Sequence, residues 1–465
     1  MKLRFTHDIA QYQNDLGELF RGFYPQITEG DDFFLDMKCE IFPEGISVRF
    51  TSDVFPNFEK RFLFPIDKSA GALERKRQEK RHLKIALYRT LSYISDTDLP
   101  YGCLTGIRPT KLYLELGKDA GRLFRQDFSV SEKKVRLIEK IVEVQTPLKS
   151  KADECDVFVN IPFCPSRCSY CSFVSVSVDK QKDILEDYAD CVVAELKSQG
   201  EIIKSQNLRV RAVYVGGGTP TALPDALLKK VLSACDFNQR EFTVEAGRPD
   251  TLNAQTVKTL KSAKVTRISV NPQSFCDKTL EAIGRRHAAA DIFKAFKLVK
   301  NKFIVNMDLI AMLPDETLED FKYSLDCAVA LSPQNITVHT LCLKRGSELK
   351  NNSAQTEDIE KAKSMTDYAC GALMAAGYVP YYMYRQKYTA GNLENVGYAK
   401  PNTECLYNID IMEEDTPVFA VGAGAIAKKL TREKNLIERF AHCKEPRDYI
   451  KRFEELNRKN FEFWQ

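Results

Sequence analysis

The stretch VNIPFCPSRCSYCSFVS, residues 159–175, places three cysteines directly after a short apolar run. Cys164, Cys168 and Cys171 follow the spacing C-x3-C-x2-C. The apolar run predicts a β-strand that ends near Ile161, so the cysteines fall in the loop at its carboxyl end. Parallel α/β folds build their sites at that end of the strands. The stretch therefore predicts both one strand of an α/β sheet and the position of a functional site.

The same alternation of strand and helix continues along the chain. Five more short β-branched or aromatic runs follow, separated by longer segments with apolar residues at i, i+3 and i+4. The six predicted strands are residues 157–161, 212–216, 242–246, 267–271, 304–310 and 336–340. Strands separated by helices predict a parallel sheet with right-handed crossovers. Periodicity alone is compatible with an open doubly wound sheet or with a partial barrel.

The two ends of the chain lack this alternation. Residues 33–42 and 45–52 predict antiparallel strands joined by a Pro-Glu-Gly turn, and a long charged helix follows at 72–95. The tail begins helical and then becomes rich in tyrosine, glycine and asparagine. We therefore expect an N-terminal α+β accessory domain at residues 1–150, a core at residues 151–350 and a C-terminal α+β extension at residues 351–465.

Length and composition are those of a globular protein with several domains. The 465 residues are 44% hydrophobic and 28% charged, and 68 basic against 64 acidic residues leave a net charge of +4. That charge gives no reason to expect a nucleic-acid partner. The first twenty residues lack the apolar core of a signal peptide, and no stretch reaches the roughly 18 apolar residues of a membrane span. We expect a cytoplasmic protein whose 14 cysteines are reduced thiols or metal ligands.

The spacing of the three cysteines favours an iron–sulfur cluster over a zinc site. A [4Fe–4S] cluster usually takes four cysteines, so three would leave one iron open for an outside ligand. Structural zinc usually takes four ligands arranged in pairs, and no second C-x2-C pair lies downstream. Three unrelated buried cysteines are the remaining alternative, but the proline, serine and arginine spacers favour a tight exposed loop.

The context I-P-F-C-x3-C-x-Y-C resembles the radical S-adenosylmethionine (SAM) superfamily, and within it the oxygen-independent coproporphyrinogen III oxidase-like family. The resemblance implies a partial (β/α)6 barrel with a [4Fe–4S] cluster on Cys164, Cys168 and Cys171. It also implies that the open iron chelates the amino and carboxylate groups of SAM. One electron from a low-potential donor, a flavodoxin or ferredoxin, would then yield a 5′-deoxyadenosyl radical that abstracts hydrogen.

Four further segments match SAM-binding motifs of the family. GGGTPT (216–221) follows the second predicted strand; its amides can bind a carboxylate, although alone it is more typical of a turn. Glu245 alone is more typical of a solvated strand end, and Arg286 is an adjacent alternative to Arg285. The SAM contacts that the resemblance implies are Phe158, Tyr170 (against adenine), Phe173, Gly217, Gly218, Thr219, Glu245, Gln273, Arg285 and Asp308.

Several residues depart from the authentic decarboxylases of this family. Phe158, Asn160, Phe173 and Met312 stand where those enzymes have tyrosine, histidine, cysteine and glycine. These changes are compatible with SAM cleavage, whereas they weaken the case for propionate decarboxylation. The segments LTGIRPTK, GRPD and NLENVGY resemble a coproporphyrinogen dehydrogenase branch, while Phe173 is also similar to a haem chaperone branch.

The resemblance implies a tetrapyrrole substrate. The favoured reaction is the oxidative decarboxylation of coproporphyrinogen III to protoporphyrinogen IX. Propionates require cations, and Arg108, Lys111, Arg345 and Arg385 are the candidates, although each alone is equally typical of a surface cation. Two alternatives stay open: a radical SAM methyltransferase or haem-degrading enzyme, and a haem-binding chaperone without turnover.

Overall fold

The structure, a computed structural model, describes residues 4–24, 34–52, 58–106, 108–173, 175–342, 347, 349, 358–386, 389, 393–431 and 436–465. The chain forms two units, which are described separately. The first contains residues 1–139, 385–387 and 391–393, and the second contains residues 140–384, 388–390 and 394–465. The division falls within the helix Glu132–Gln145.

The first unit is an α+β assembly on a four-stranded sheet. Strands β1 (Arg4–His7), β2 (Phe34–Phe42), β3 (Gly45–Ser52) and β4 (Glu59–Pro65) lie in that order. Phe42 pairs with Gly45 across an antiparallel turn, which confirms the predicted hairpin. The charged helix Ala72–Ser95 has the predicted bounds. This unit also contains the helices Gln13–Phe23, Pro109–Leu116 and Ala120–Arg122, the π-helical turn Leu123–Asp127 and the 3-10 turns Ala10–Tyr12 and Gly117–Asp119.

An eleven-stranded sheet forms the centre of the second unit. The strands in chain order are β5 (Glu154–Ile161), β6 (Phe163–Cys164), β7 (Val176–Ser177), β8 (Arg209–Gly217), β9 (Glu241–Glu245), β10 (Arg267–Ser269), β11 (Ile304–Ala311), β12 (Asn335–Thr340), β13 (Val379–Arg385), β14 (Glu394–Ala399), β15 (Val418–Val421), β16 (Ile426–Thr431) and β17 (Leu436–Ala441). β6 and β7 pair separately. The others lie in the order β13-β14-β12-β11-β10-β9-β8-β5-β15-β16-β17.

Six neighbouring strands of this sheet, β5 and β8 to β12, run parallel. They coincide with the six strands predicted from the sequence, which confirms the α/β class and its (β/α)6 series. Among the described strands the sheet does not close, because β13 and β17 form separate edges. The helices between successive core strands are Leu185–Ser205, Asp225–Ser233, Ala254–Ser262, Asp277–Ala282, Ala289–Val299 and Leu318–Leu331.

The region after the core contributes four further helices, Ile359–Ala375, Leu406–Glu413, Pro446–Lys451 and Phe453–Trp464. It also supplies β15, a seventh parallel strand that pairs directly with β5, with Val421 beside Val159. Sequence periodicity did not predict this strand. No described helix is long and apolar enough to cross a membrane.

The two faces of the parallel sheet differ because side chains alternate along each strand. On one face, Val159, Val215 and Leu309 are fully buried in the apolar layer that packs against the helices. On the other face the same strands carry polar and aromatic side chains, which are Phe158, Asn160, Tyr214, Glu245, Asn306, Asp308 and His339. The core strands therefore present apolar side chains to the helices and polar and aromatic side chains to the opposite face, which is called the inner face below.

Buried ion pairs occupy the amino ends of the core strands on that inner face. Arg211 Nε contacts Asp410 Oδ2 at 2.7 Å, and Arg267 Nη2 contacts Glu241 Oε2 at 3.3 Å. All four side chains are nearly inaccessible to solvent. A buried charge that loses its partner is strongly destabilising, so these pairs are part of the framework.

Met312 follows β11 with a positive φ of 69°. It stands where the family has glycine, and a left-handed backbone costs other L-residues roughly 1–2 kcal/mol. The conformation explains why glycine suits this position. Met312 adopts this left-handed conformation although it carries a side chain.

Glu316 gives the second unit a pH dependence. Its carboxyl is fully buried, Ser274 Oγ donates to Oε1 at 3.3 Å, and Oε2 has no partner among the described residues. Burial raises the pKa of Glu316 from 4.5 to about 8. The folded protein therefore keeps a proton that the unfolded chain releases above pH 4.5, so this group lowers stability as pH rises toward 8.

We predict that Glu316→Gln removes this loss. Compared with the unsubstituted protein, the variant should be about equally stable at pH 4.5 and more stable at pH 8, by at most about 4 kcal/mol. Thermal unfolding at both pH values measures the difference, and Glu281→Gln, at an exposed position, is the control. If Glu316→Gln changed the stability by the same amount at both pH values, Glu316 would not be the source of the pH dependence.

Candidate functional site

The cysteine loop leaves the carboxyl end of β5 and is held in place on both sides. Cys164 lies in β6 and pairs with Ser177 of β7. The amide of Cys171 donates to the carbonyl of Cys168 at 3.0 Å, which turns the loop back on itself. Ser169 N donates to Ile283 O at 3.1 Å and ties the loop to the segment before Arg285.

The three thiols sit in a partly desolvated environment. Cys168 is buried, while Cys164 and Cys171 are half-buried. Burial, the largest cause, raises the pKa values of Cys164 and Cys171 above their ordinary range. Metal ligation requires thiolates, so a cluster that binds here must displace protons.

A zinc site and an iron–sulfur cluster place different demands on the three cysteines. Among the described residues, no three histidine, cysteine, aspartate or glutamate side chains are close enough to share one metal ion. A zinc ion requires its sulfur ligands at about 2.3 Å from one centre. A four-iron cube accepts each cysteine on a different iron, so its ligands lie further apart.

The glycine-rich loop after β8 packs directly on the exit of β5. Gly218 N donates to Ile161 O at 2.9 Å, and Thr219 N donates to Phe163 O at 2.7 Å. A Cβ at Gly218 would lie 2.7 Å from the Phe163 carbonyl oxygen, so only glycine permits this approach. Thr219 Oγ1 lies 3.5 Å from Cys164 Sγ. The loop thus adjoins the first cysteine.

These contacts correct one expectation. The glycine amides of this loop were expected to be able to bind a carboxylate, but the amide of Gly218 donates to a carbonyl group of the cysteine segment, and so does the neighbouring amide of Thr219. A backbone N–H has a single proton, so neither amide is available to a ligand anion. Gly217 adopts a φ of +101°, and its Cβ position is filled by the Asn160 side chain.

Glu245 ends β9 on the inner face and is held by a neighbouring strand. Tyr214 OH donates to Glu245 Oε1 at 2.5 Å. Burial, with a smaller contribution from the charge of Asp308, raises the pKa of Glu245 to about 7. Glu245 alone suggested a solvated strand end, whereas its side chain is half-buried and accepts a hydrogen bond from Tyr214. The carboxyl instead faces the interior and can exchange a proton near neutral pH.

Asp308 lies on β11 within a polar network. Asn306 Nδ2 donates to Asp308 Oδ1 at 2.7 Å, and His339 Nε2 lies 3.8 Å from Asp308 Oδ2. On the other side of the imidazole, Tyr384 OH lies 3.2 Å from His339 Nδ1. Sequence reasoning missed Asn306, His339 and Tyr384 as site residues. For Asn306 and His339 the available signal was the alternation of polar residues along β11 and β12, whereas Tyr384 lies on β13 and had no such signal.

Gln273 connects the end of β10 to β11. It has a φ of +70°, its amide donates to Asp308 O at 2.9 Å, and its carbonyl accepts from Ile310 N at 3.0 Å. Its side-chain Oε1 is buried with no partner among the described residues, and so is Asn271 Oδ1. Buried polar atoms without partners are rare and costly, so both fit a polar ligand that supplies donors.

The structure separates the two adjacent arginines. Arg285 points inward, where Nη2 donates to Tyr170 OH at 2.8 Å and Nη1 donates to Gly247 O at 3.1 Å. Its Nε is buried without a partner among the described residues. Arg286 is exposed. Arg285 is therefore the one of the pair that reaches the cysteine loop.

The predicted aromatic residues fall in different environments. Phe158 stacks with Tyr214 and Tyr407 at ring-centroid distances of 6.3 and 6.1 Å, and Tyr214 lies 4.4 Å from Tyr407. Tyr170 is half-buried beside Arg285. Phe173 is 69% exposed and lies on the surface. The aromatic stack forms an apolar wall on the inner face.

The predicted substrate cations belong to the first unit or lie outside the described residues. Arg385 stacks over Tyr101, with its guanidinium carbon 4.1 Å from the ring centroid, and its Nη1 donates to Leu104 O at 2.6 Å. Arg108 directly precedes the helix Pro109–Leu116, which contains Lys111. Arg345 lies outside the described residues.

Comparisons with known proteins agree with this geometry. Residues 159–328 match the profile of the Radical SAM superfamily. The oxygen-independent coproporphyrinogen-III oxidase-like protein HemZ of Bacillus subtilis (strain 168) is 38% identical over 374 residues, which cover 76% of this chain and 75% of that protein. The heme chaperone HemW of Haemophilus influenzae is 30% identical over 305 residues, covering 63% and 75%.

A solved structure shows the same fold. The coproporphyrinogen III oxidase HemN of Escherichia coli, described as a radical SAM enzyme, superposes with a TM-score of 0.53 at 18% identity. The match covers 68% of this chain and 73% of that one. The superfamily uses a [4Fe–4S] cluster and SAM, and these are the cofactors of this protein. The chain belongs to the radical SAM superfamily and, within it, to the oxygen-independent coproporphyrinogen III oxidase-like family.

Proposed function

We propose that Cys164, Cys168 and Cys171 hold a [4Fe–4S] cluster whose fourth iron binds SAM. The observation that supports this most directly is the meeting of two loops. The cysteine loop and the glycine-rich loop share backbone hydrogen bonds, and Thr219 Oγ1 lies 3.5 Å from Cys164 Sγ. Loops that meet at the carboxyl ends of adjacent parallel strands are the usual position of a ligand site.

The SAM site is proposed to extend along the carboxyl ends of β8 to β11. Gln273 Oε1 and Arg285 Nε, for which the described residues supply no partner, are available to a polar ligand, and Asp308 offers a carboxylate. The proposed contacts are Phe158, Tyr170, Gly217, Gly218, Thr219, Glu245, Gln273, Arg285 and Asp308, with Phe173 at the exposed rim. When bound, the reduced cluster and SAM supply a radical that abstracts hydrogen. The chain's own residues hold and orient the nucleotide and exclude water.

For the reaction, we propose oxidative decarboxylation of coproporphyrinogen III to protoporphyrinogen IX. Each converted propionate would lose one β-hydrogen atom to the radical and then carbon dioxide and one electron, which an external one-electron acceptor would take up, and a vinyl group would remain. The family membership and the apolar wall of Phe158, Tyr214 and Tyr407 support a tetrapyrrole. The propionate partners stay predictions: Arg108, Lys111, Arg345 and Arg385. The electron donor is proposed to be a flavodoxin or ferredoxin.

A haem chaperone without turnover is the second candidate. The 30% identity to the heme chaperone HemW favours it. The replacement of a family tyrosine by Phe158 also removes a hydroxyl near the centre of the aromatic wall. The chaperone candidate keeps the same cysteine triplet and SAM residues, so the two candidates differ in what happens to the tetrapyrrole.

The first prediction concerns the cluster. The triple substitution of Cys164, Cys168 and Cys171 by alanine should abolish iron and sulfide binding after anaerobic reconstitution, because no thiolate ligands remain. Iron analysis and the visible absorption spectrum measure this. The matched control replaces the half-buried Cys191, Cys327 and Cys443 by alanine and should bind iron fully. Full iron content in the first variant would contradict the assignment.

The second prediction concerns SAM. Asp308→Asn should weaken SAM binding by about tenfold to hundredfold, since a hydrogen bond to a charged group contributes about 1.5–3 kcal/mol. Equilibrium binding to the anaerobically reconstituted protein measures the effect. Asp190→Asn, at an exposed position on the helix Leu185–Ser205, should leave the affinity unchanged. Equal losses in both variants would argue against a SAM contact at Asp308.

The third prediction tests the reaction. Anaerobic incubation with coproporphyrinogen III, SAM and a reductant should release 5′-deoxyadenosine and a vinyl-bearing tetrapyrrole. Release of 5′-deoxyadenosine with an unchanged tetrapyrrole would exclude this substrate while keeping the radical chemistry. A methylated product from labelled SAM would indicate the methyltransferase alternative. Tight haem binding without any turnover would favour the chaperone.

A further inference from the structure

A buried arginine lies against the cysteine loop and has no part in the site described above. Arg248 belongs to the segment Gly-Arg-Pro-Asp, which follows β9, and its side chain is 3% exposed. Two of its nitrogens form a fork with one carboxylate: Nε donates to Asp250 Oδ1 at 3.0 Å and Nη2 donates to Asp250 Oδ2 at 3.1 Å. The bidentate pair fixes the plane of the guanidinium.

The third nitrogen faces the cysteine loop. Nη1 donates to Ser166 Oγ at 3.0 Å and lies 3.5 Å from the carbonyl oxygen of the same residue. It also donates to Cys168 Sγ at 3.8 Å. Asp250 therefore aims a buried N–H donor at the sulfur of the central cysteine.

Arg248 carries the permanent positive charge of this group. A guanidinium does not lose its proton in proteins. His287 lies 3.8 Å from Asp250 on the other side, and burial lowers its pKa to about 4, so it is neutral at pH 7. Asp250 therefore compensates part of the charge of Arg248, and the remaining positive potential falls on Cys168.

We infer that Arg248 is a positioning residue that raises the reduction potential of the iron–sulfur cluster, and that Asp250 limits the increase. The inference rests on the proposed ligation of the cluster by Cys168. Reduction adds one electron to the cluster, and a nearby cation and an N–H donor to a ligand sulfur stabilise the added negative charge. The buried setting strengthens this interaction relative to one in water.

The two partners give opposite predictions. In Arg248→Gln the positive charge is lost, so the cluster becomes harder to reduce; at fixed potential we expect at least tenfold less reduced cluster, a shift of 59 mV for one electron. In Asp250→Asn the positive charge loses its counter-ion, so the potential should move in the positive direction. Arg240→Gln makes the same charge change at an exposed position just before β9 and should leave the potential unchanged.

The experiment uses the full chain, reconstituted anaerobically without SAM. Iron and sulfide content are measured first, and the potential then follows from a redox titration monitored by electron paramagnetic resonance. Opposite shifts in Arg248→Gln and Asp250→Asn support the inference. A fully loaded Arg248→Gln variant with the unsubstituted protein's potential overturns it. A loss of iron with an unchanged potential in the remaining cluster also overturns it, because that is the result of a purely structural role.

Two further outcomes are separated by the iron measurement. If Arg248→Gln holds no cluster, Asp250→Asn decides: a positive shift supports the inference, and an unchanged or more negative potential overturns it. If the unsubstituted protein takes up no iron, the proposed ligation itself fails and the inference fails with it. If the proteins bind the cluster but their reduction potentials do not shift as expected, only the inference fails and the proposed function is unaffected.

Discussion

The site depends on two backbone hydrogen bonds between the ends of adjacent strands. Gly218 N to Ile161 O and Thr219 N to Phe163 O join the glycine-rich loop to the start of the cysteine loop. They form because β5 and β8 are neighbours and because glycine at 218 permits the approach. The position of Cys164 and the approach of Thr219 to its sulfur both follow from this contact.

The charged and polar side chains of the inner face have different environments at the two ends of the strands. At the amino ends of the strands, Arg211 and Arg267 are paired with buried carboxylates and stabilise the sheet. At the carboxyl ends the polar groups are held from one side, and atoms such as Gln273 Oε1 have no partner within the described parts of the chain. A satisfied network favours stability, and an incompletely satisfied one favours a ligand. The same face of one sheet thus combines a framework and a site.

The sequence predicted what depends on local patterns and missed what depends on distant pairing. The six core strands were predictable because each carries a β-branched run followed by a helical repeat, and the cysteines because their spacing is chemically specific. Packing decides which of the two adjacent arginines points inward, and this is Arg285 and not Arg286. The contacts of His339 with Tyr384 and of Arg248 with Cys168 join separate strands and loops, so no local pattern contains them.

The pairing of β15 with β5 has a consequence for how the protein is made. Val421 lies beside Val159, although more than half of the printed sequence separates them. Until β15 has left the ribosome, one edge of β5 has no backbone partner, and an open strand edge invites pairing with other chains. The nascent chain therefore carries its cysteine-bearing strand exposed during most of its synthesis. A chaperone that binds the nascent chain before β15 emerges would protect it from aggregation.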